Sequence, residues 1–236
     1  METQRHRDQM NLLVDSLIDA WRDRTDFYAA GNMGLYFSET QARRNDFRAP
    51  DVFVVLETDR KERKRWVVWE EDGRTPDVII EITSESTEAV DRGTKKDVYA
   101  RVLRVPFYAI YDPFSARLDA FRLAAGRRSY EPLAPDEHGR VFCEPLGLWL
   151  GVVRGVRRGV DAPWLRWVDA DGRPLPEDWE RAAQERELAQ RETERAERET
   201  ERAERETERA QRETERAERA EAELRRLQEE LRRRGG

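Results

Sequence analysis

The sequence predicts a mixed α/β domain: a central sheet flanked by helices, with a long charged helix appended. Three observations carry that expectation. Runs of aromatic and β-branched residues, bounded by Gly and Pro, are interleaved with helical stretches through the first three quarters of the chain. The aromatic residues lie before Glu180, whereas residues 180–236 hold 18 acids and 16 bases. A seven-residue repeat then runs along the tail.

The elements follow in order. "RDQMNLLVDSLIDAWRDR" sets Met10, Leu13, Val14, Leu17, Ile18 and Trp21 on one face of a helix. "GNMGLYFSE" and "PDVFVVLE" read as strands, and "KRWVVWEEDGRTPD" as a strand closed by a turn at Asp72-Gly73. "DVIIEIT" is the next strand. "SESTEAVDRGTKKDVYARVL" reads as a helix with Ser or Thr N-caps and early glutamates, weakened by Gly93. "VPFYAIYDP" is a strand stopped by Asp112-Pro113. "ARLDAFRLAAGRRSYEPL", "GLWLGVVRGV" and "WLRWVDADGRPL" form a C-terminal β-meander of hairpins. Leu13, Val14, Ile80, Ile82, Val98, Val102 and Ile110 are the expected core.

With 236 residues, the chain fits one domain plus an appendage. We place the domain at 1–177 and the appendage at 178–236. In the latter, "RETERAE" occupies 191–197, 198–204 and 212–218, with "RETERAQ" at 205–211. Thr193, Ala196, Thr200, Ala203, Thr207, Ala210, Thr214 and Ala217 make a heptad seam of little apolar area. Leu224, Leu227 and Leu231 continue that frame. The expectation is a long helix, either solitary or a marginal coiled coil giving weak homo-oligomers through its leucines.

Charge and composition exclude several classes. The net charge is -6, so nothing supports binding nucleic acid mainly by phosphate neutralisation; any DNA contact is local, weak or metal-assisted. The lone Cys143 makes no internal disulfide and reads as a buried hydrophobe in a reducing compartment. The polar N-terminus lacks a signal-peptide h-region, and the longest apolar stretch, "LGLWLGVV", is too short to span a bilayer. These features predict a cytoplasmic protein without a membrane partner. His6 and His138 show no ligand spacing, and no phosphate-binding glycine motif is present.

The chemistry concentrates in "PDVIIEITSESTEAVDRGTKKDVY", residues 76–99. On a strand, Val78, Ile80 and Ile82 face one way, and Asp77, Ile79, Glu81 and Thr83 the other. A buried carboxylate needs a partner or a cation. Asp77 and Glu81 stand roughly 13 Å apart along the strand, too far to share one ion easily. Asp51, opening the "PDVFVV" strand, is the natural partner for Glu81. Asp77 sits at the strand's entrance, as a cap or an outer ligand. The chain has 40 arginines and 4 lysines, yet Lys95 and Lys96 stand side by side on the following helix. Lysine, unlike arginine, shifts its pKa readily and can serve as a proton donor or base. Lys95 and Tyr99 share a face at i,i+4; which lysine serves the site stays open. The bland alternatives are turn aspartates and a solvated lysine pair.

The blocks "PDVFVV", "PDVIIEITSEST", "DRGTKKDVYAR", "VPFYAIYDPFS" and "WLRWVDADG", in this order over residues 10–175, resemble the Uma-two family. This is a bacterial group described as endonucleases with the restriction-endonuclease-like PD-(D/E)XK fold, whose members often carry Arg/Glu heptad tails. The resemblance implies an α-β-β-β-α-β core with Asp51 and Glu81 as metal-binding carboxylates. The usual third residue is a lysine two positions after the glutamate; here that position is Thr83. The resemblance moves the role to the next helix, where Lys95 fits the "K…Y" pattern. Glu39 stands as an outer carboxylate. The implied activity is Mg²⁺- (or Mn²⁺-) dependent hydrolysis of DNA phosphodiesters, with Asp51, Glu81 and Lys95 catalytic and Asp51, Glu81 and Asp77 around the metal. The alternative is an inactive nuclease-fold scaffold whose tail mediates assembly.

Overall fold

The structure is a computed structural model describing residues 3–38 and 47–234. Helix α1 (Gln4–Ala20) starts at Thr3, whose Oγ1 accepts the His6 amide. Its apolar stripe buries Leu12, Leu13 and Leu17. Strands β1 (Phe27–Gly31), β2 (Leu35–Tyr36), β3 (Val52–Leu56), β4 (Trp66–Val67) and β5 (Val78–Ile82) follow. A helix over residues 88–103, here termed the site helix, leads to β6 (Phe107–Asp112), β7 (Arg117–Arg122) and β8 (Glu131–Pro132). Of the expected meander, β7 and β8 extend the main sheet instead, and the separate three-stranded sheet is β9 (Val141–Cys143), β10 (Leu148–Arg157) and β11 (Val160–Val168).

The main sheet has the order β1-β3-β5-β6-β7-β8. Its neighbours are antiparallel except β5 and β6, which run parallel. A parallel pair needs a crossover, and the site helix supplies it. The α-β-β-β-α-β order is thus present as α1, β1, β3, β5, site helix and β6. Strand β5 is buried on both faces, as a central strand must be. On one face Val78 and Ile80 join Leu13, Leu17, Val52, Val54 and the inner residues Leu150, Leu165 and Trp167 of the meander. On the other, Ile79 joins Phe53, Val55, Tyr99, Leu103, Tyr108 and Ile110. Cys143 is free and buried, and burial pushes its thiol far above the usual range.

Three expectations are corrected. Within the described part of "GNMGLYFSE", Leu35 and Tyr36 form a two-residue strand, and Gly31 closes a longer strand, "FYAAG", ended by Asn32 at a positive φ. In "KRWVVWEE" the strand is only Trp66–Val67, because Val68–Glu70 turn into a 3₁₀ helix. Val102, expected in the core, is 56% exposed, and Val14 and Val98 are only half-buried. The cause for Val102 is helix winding: Asp91–Lys95 and Tyr99–Leu103 are π segments. Each π turn holds an extra residue, which rotates Tyr99, Ala100 and Leu103 inward in place of Val102.

By compactness the chain divides into Met1–Trp179 and Glu180–Gly236. The C-terminal helix runs over Asp178–Arg234. Among the described residues, no helix is long and apolar enough to cross a membrane.

Candidate active site

Strand register brings the first two candidates together. Beyond the antiparallel pair Val52–Ile80, the next step sets Asp51 across from Glu81. Glu81 has no solvent exposure. Its Oε1 accepts the Tyr99 hydroxyl at 2.8 Å, and its Oε2 accepts the Lys95 ammonium at 2.9 Å. The Asp51 backbone N–H lies 3.4 Å from the same Oε2. The Asp51 carboxylate itself turns elsewhere: Oδ2 accepts the Ile82 N–H at 2.7 Å, and Oδ1 lies 2.8 Å from Nε2 of His6.

The site helix supplies the rest as a stripe at four-residue intervals, Asp91, Lys95 and Tyr99. A four-residue step overshoots an α turn and falls short of a π turn. Alternating the two, as residues 88–103 do, keeps the stripe aligned toward Glu81. Lys95 Nζ lies 3.0 Å from Asp91 Oδ1 as well as 2.9 Å from Glu81 Oε2. Asp91 is buried, and its backbone carbonyl accepts the Tyr108 hydroxyl at 2.8 Å.

The electrostatics follow from burial. Desolvation pushes the Glu81 carboxyl up to about 8 against the pull of Lys95, with Asp51 and Asp91 adding to the push. Burial works against the charged form of Lys95, yet the carboxylates of Glu81 and Asp91 hold its ammonium above the ordinary value. Burial and the Glu81 charge raise the Tyr99 hydroxyl well above its usual range, so it donates and does not ionise.

The remaining candidates lie elsewhere. Lys96 points away, with Nζ 3.3 Å from the ring centroid of Phe121, so Lys95 is the lysine beside Glu81. Asp77 stands at the other end of β5, where Oδ2 accepts the Leu56 N–H at 2.7 Å, and burial raises its carboxyl. It is not brought to Glu81. Thr83, in the usual lysine position, is buried with its hydroxyl near Thr87 and the Ser84 carbonyl. Glu39 lies outside the described residues. Sequence reasoning missed Asp91 and His6 as neighbours of the set. For Asp91 the signal was present, since it stands four residues before Lys95 just as Tyr99 stands four after. For His6 there was none, because its approach to Asp51 depends on how α1 docks.

Among the described residues, no group of three or more His, Cys, Asp or Glu side chains is arranged to hold a metal ion. The donors present are carboxylate oxygens, which suit a hard cation such as Mg²⁺. That ion is usually held through one or two carboxylates, completed by water and phosphate. Glu81 offers such oxygens, whereas the Asp51 carboxylate beside it is bonded to the Ile82 N–H and to His6.

A search of curated proteins gives no match. Among solved structures, the crystal structure of "a putative nuclease belonging to DUF820" from Anabaena variabilis is similar. It shares 17% identity at a TM-score of 0.42, over 58% of this chain and 74% of that one. Residues 1–154 match the Uma2 family, described as "Putative restriction endonuclease". That match takes in α1, Asp51, Glu81, Asp91, Lys95 and Tyr99, and by it the chain belongs to the Uma2 family.

Proposed function

We propose that this protein is a metal-dependent endonuclease hydrolysing DNA phosphodiester bonds, with Mg²⁺ or Mn²⁺ held by Glu81 and Asp51. The observation that carries the proposal is a carboxylate without solvent exposure on the central strand, bonded to Lys95 and Tyr99 and facing Asp51 across the ladder. A charge this costly to bury suits a cation site. When bound, the ion would supply Lewis acidity and a more acidic water. The chain's own residues do the rest. Tyr99 fixes the Glu81 carboxylate by donating to one oxygen, leaving Oε2 as the reactive side. Lys95 places a positive charge beside that oxygen, where it can face a scissile phosphate or orient a water. Asp77, at the far end of β5, has no part in this set. The catalytic unit would be residues 1–177, with the tail from 178 extending its reach or its self-association, in the cytoplasm.

One observation favours the alternative of an inactive scaffold. The charges are mutually satisfied: Lys95 bridges Glu81 and Asp91, and both Asp51 oxygens are occupied. The test is cleavage of supercoiled plasmid and single-stranded DNA by the full chain, with Mg²⁺, Mn²⁺ or EDTA. The nuclease reading expects cleavage with metal, abolished in Glu81→Gln while the variant stays folded. Equal cleavage by both proteins would remove Glu81 from the mechanism. No cleavage by the wild type under any metal condition would favour the scaffold.

A further inference from the structure

We propose that Asp91 is a positioning residue of this site: it clamps the Lys95 ammonium and keeps it in place when Glu81 turns to a cation. The inference rests on the nuclease reading for its purpose, but not for its geometry. Asp91 is 1% exposed, and its Oδ1 makes no well-aligned hydrogen bond. Its charge partner is Lys95 Nζ at 3.0 Å, and the same ammonium lies 2.9 Å from Glu81 Oε2. A buried carboxylate persists only with such compensation.

The need for a second carboxylate follows from the chemistry. Glu81 cannot give its full charge both to a divalent cation and to Lys95. Without Asp91, a cation at Glu81 would repel the ammonium toward the remaining solvent; the Lys95 side chain is 20% exposed and has room to leave. With Asp91, the ammonium keeps one full counter-charge on its own helix, one turn away. The π winding at Asp91–Lys95 sets that spacing. The backbone supports the clamp independently, because Tyr108 bonds the Asp91 carbonyl and not its side chain. An Asp91→Asn substitution therefore removes the charge and leaves this anchor intact.

The chain has four lysines, so ¹⁵N-lysine labelling of the full protein gives a simple ammonium spectrum. At fixed pH, a clamped ammonium exchanges slowly with water and stays visible; solvated ones vanish. The proposal expects a Lys95 ammonium signal in the wild type, identified by its loss in Lys95→Gln. That signal should persist on adding Mg²⁺ and disappear in Asp91→Asn. In parallel, turnover at saturating DNA should fall at least tenfold in Asp91→Asn with KM little changed, and Asp91→Glu should recover part of both properties. A Lys95 signal absent from the wild type, or unchanged in Asp91→Asn, overturns the clamp whatever happens to cleavage. Should Asp91→Asn fail to fold, Glu81→Gln decides: the ammonium should stay visible on Asp91 alone, and its loss overturns the proposal. A wild type that cleaves no DNA sinks the nuclease reading, while the ammonium signal still decides the clamp.

Discussion

Glu81 keeps its proton longer in the folded protein than in the unfolded chain, and that has a measurable consequence. Its folded pKa of about 8 lies above the ordinary 4.5. Between those values the unfolded chain has released the proton and the folded protein still holds it. Metal-free stability should therefore fall as pH rises from about 4.5 to about 8, by a few kcal/mol, and level off above. Lys95 acts in another window. Its raised value contributes stability below 10.5 that is lost only as pH climbs through the folded value. We expect Glu81→Gln to flatten the slope between about pH 4.5 and 8, measured by urea denaturation in EDTA. An unchanged slope would mean that another group carries the proton. The sequence made Glu81 and Lys95 legible at this scale because strand parity and an unusual lysine pair are local signals. It did not place the Asp51 carboxylate, whose bonds to His6 and the Ile82 amide arise from helix docking and sheet register.

At the scale of elements, the site helix shows why the rest was not legible. Its existence follows from composition, but its winding does not. A regular α-helix would carry Val98 and Val102 inward together; the π segments instead bury Tyr99, Ala100 and Leu103. Gly93 sits inside the first π segment, without a positive φ, and a Cβ there would meet nothing within 4 Å. Gly93→Ala should therefore stabilise the domain by roughly 0.4–1 kcal/mol, through the lost freedom of the unfolded chain. A destabilised variant in urea titration would show that the π turn needs glycine. The segment before β4 makes a contrasting case. Arg63 is buried there, donating through Nε and Nη2 to Glu71 at 2.7 and 2.9 Å, and its guanidinium stacks near Tyr28 and Trp66. That planar fork is what lysine lacks. Arg63→Lys should cost about 1–3 kcal/mol despite keeping the charge, read from the same titration. A silent substitution would reduce Arg63 to a surface ion pair.

At the scale of the whole molecule, the tail and the head obey different physics. The head holds the apolar clusters, whereas from residue 183 on the tail's described side chains are exposed and tied by i,i+4 pairs such as Arg195–Glu199 at 3.2 Å and Arg202–Glu206 at 3.3 Å. Its threonines turn inward on the helix: Thr193, Thr200, Thr207 and Thr214 each donate to the carbonyl four residues back. That leaves the seam little to offer a partner, as its Thr/Ala composition suggested. Leu224 is 58% exposed; the side chains of Leu227 and Leu231 lie outside the described residues. Truncation must respect the junction. Glu177 forms a buried ion pair with Arg157 at 2.6 Å and accepts the Trp179 indole N–H, so a cut before Glu177 would leave the buried Arg157 with the longer Asp8 pair, at 3.4 Å, in place of its bidentate partner. A chain ending at residue 183 keeps both contacts. Its melting temperature should stay within a few degrees of the full chain, because exposed pairs contribute only about 0.3–0.5 kcal/mol each and to the tail alone. A peptide of residues 184–234 should lose helicity as salt rises from 10 mM to 1 M, since screening removes the pairs that support it. A large fall in the head's melting temperature on truncation, or a peptide whose helicity ignores salt, would mean that the tail is held by apolar packing and not by its own charges.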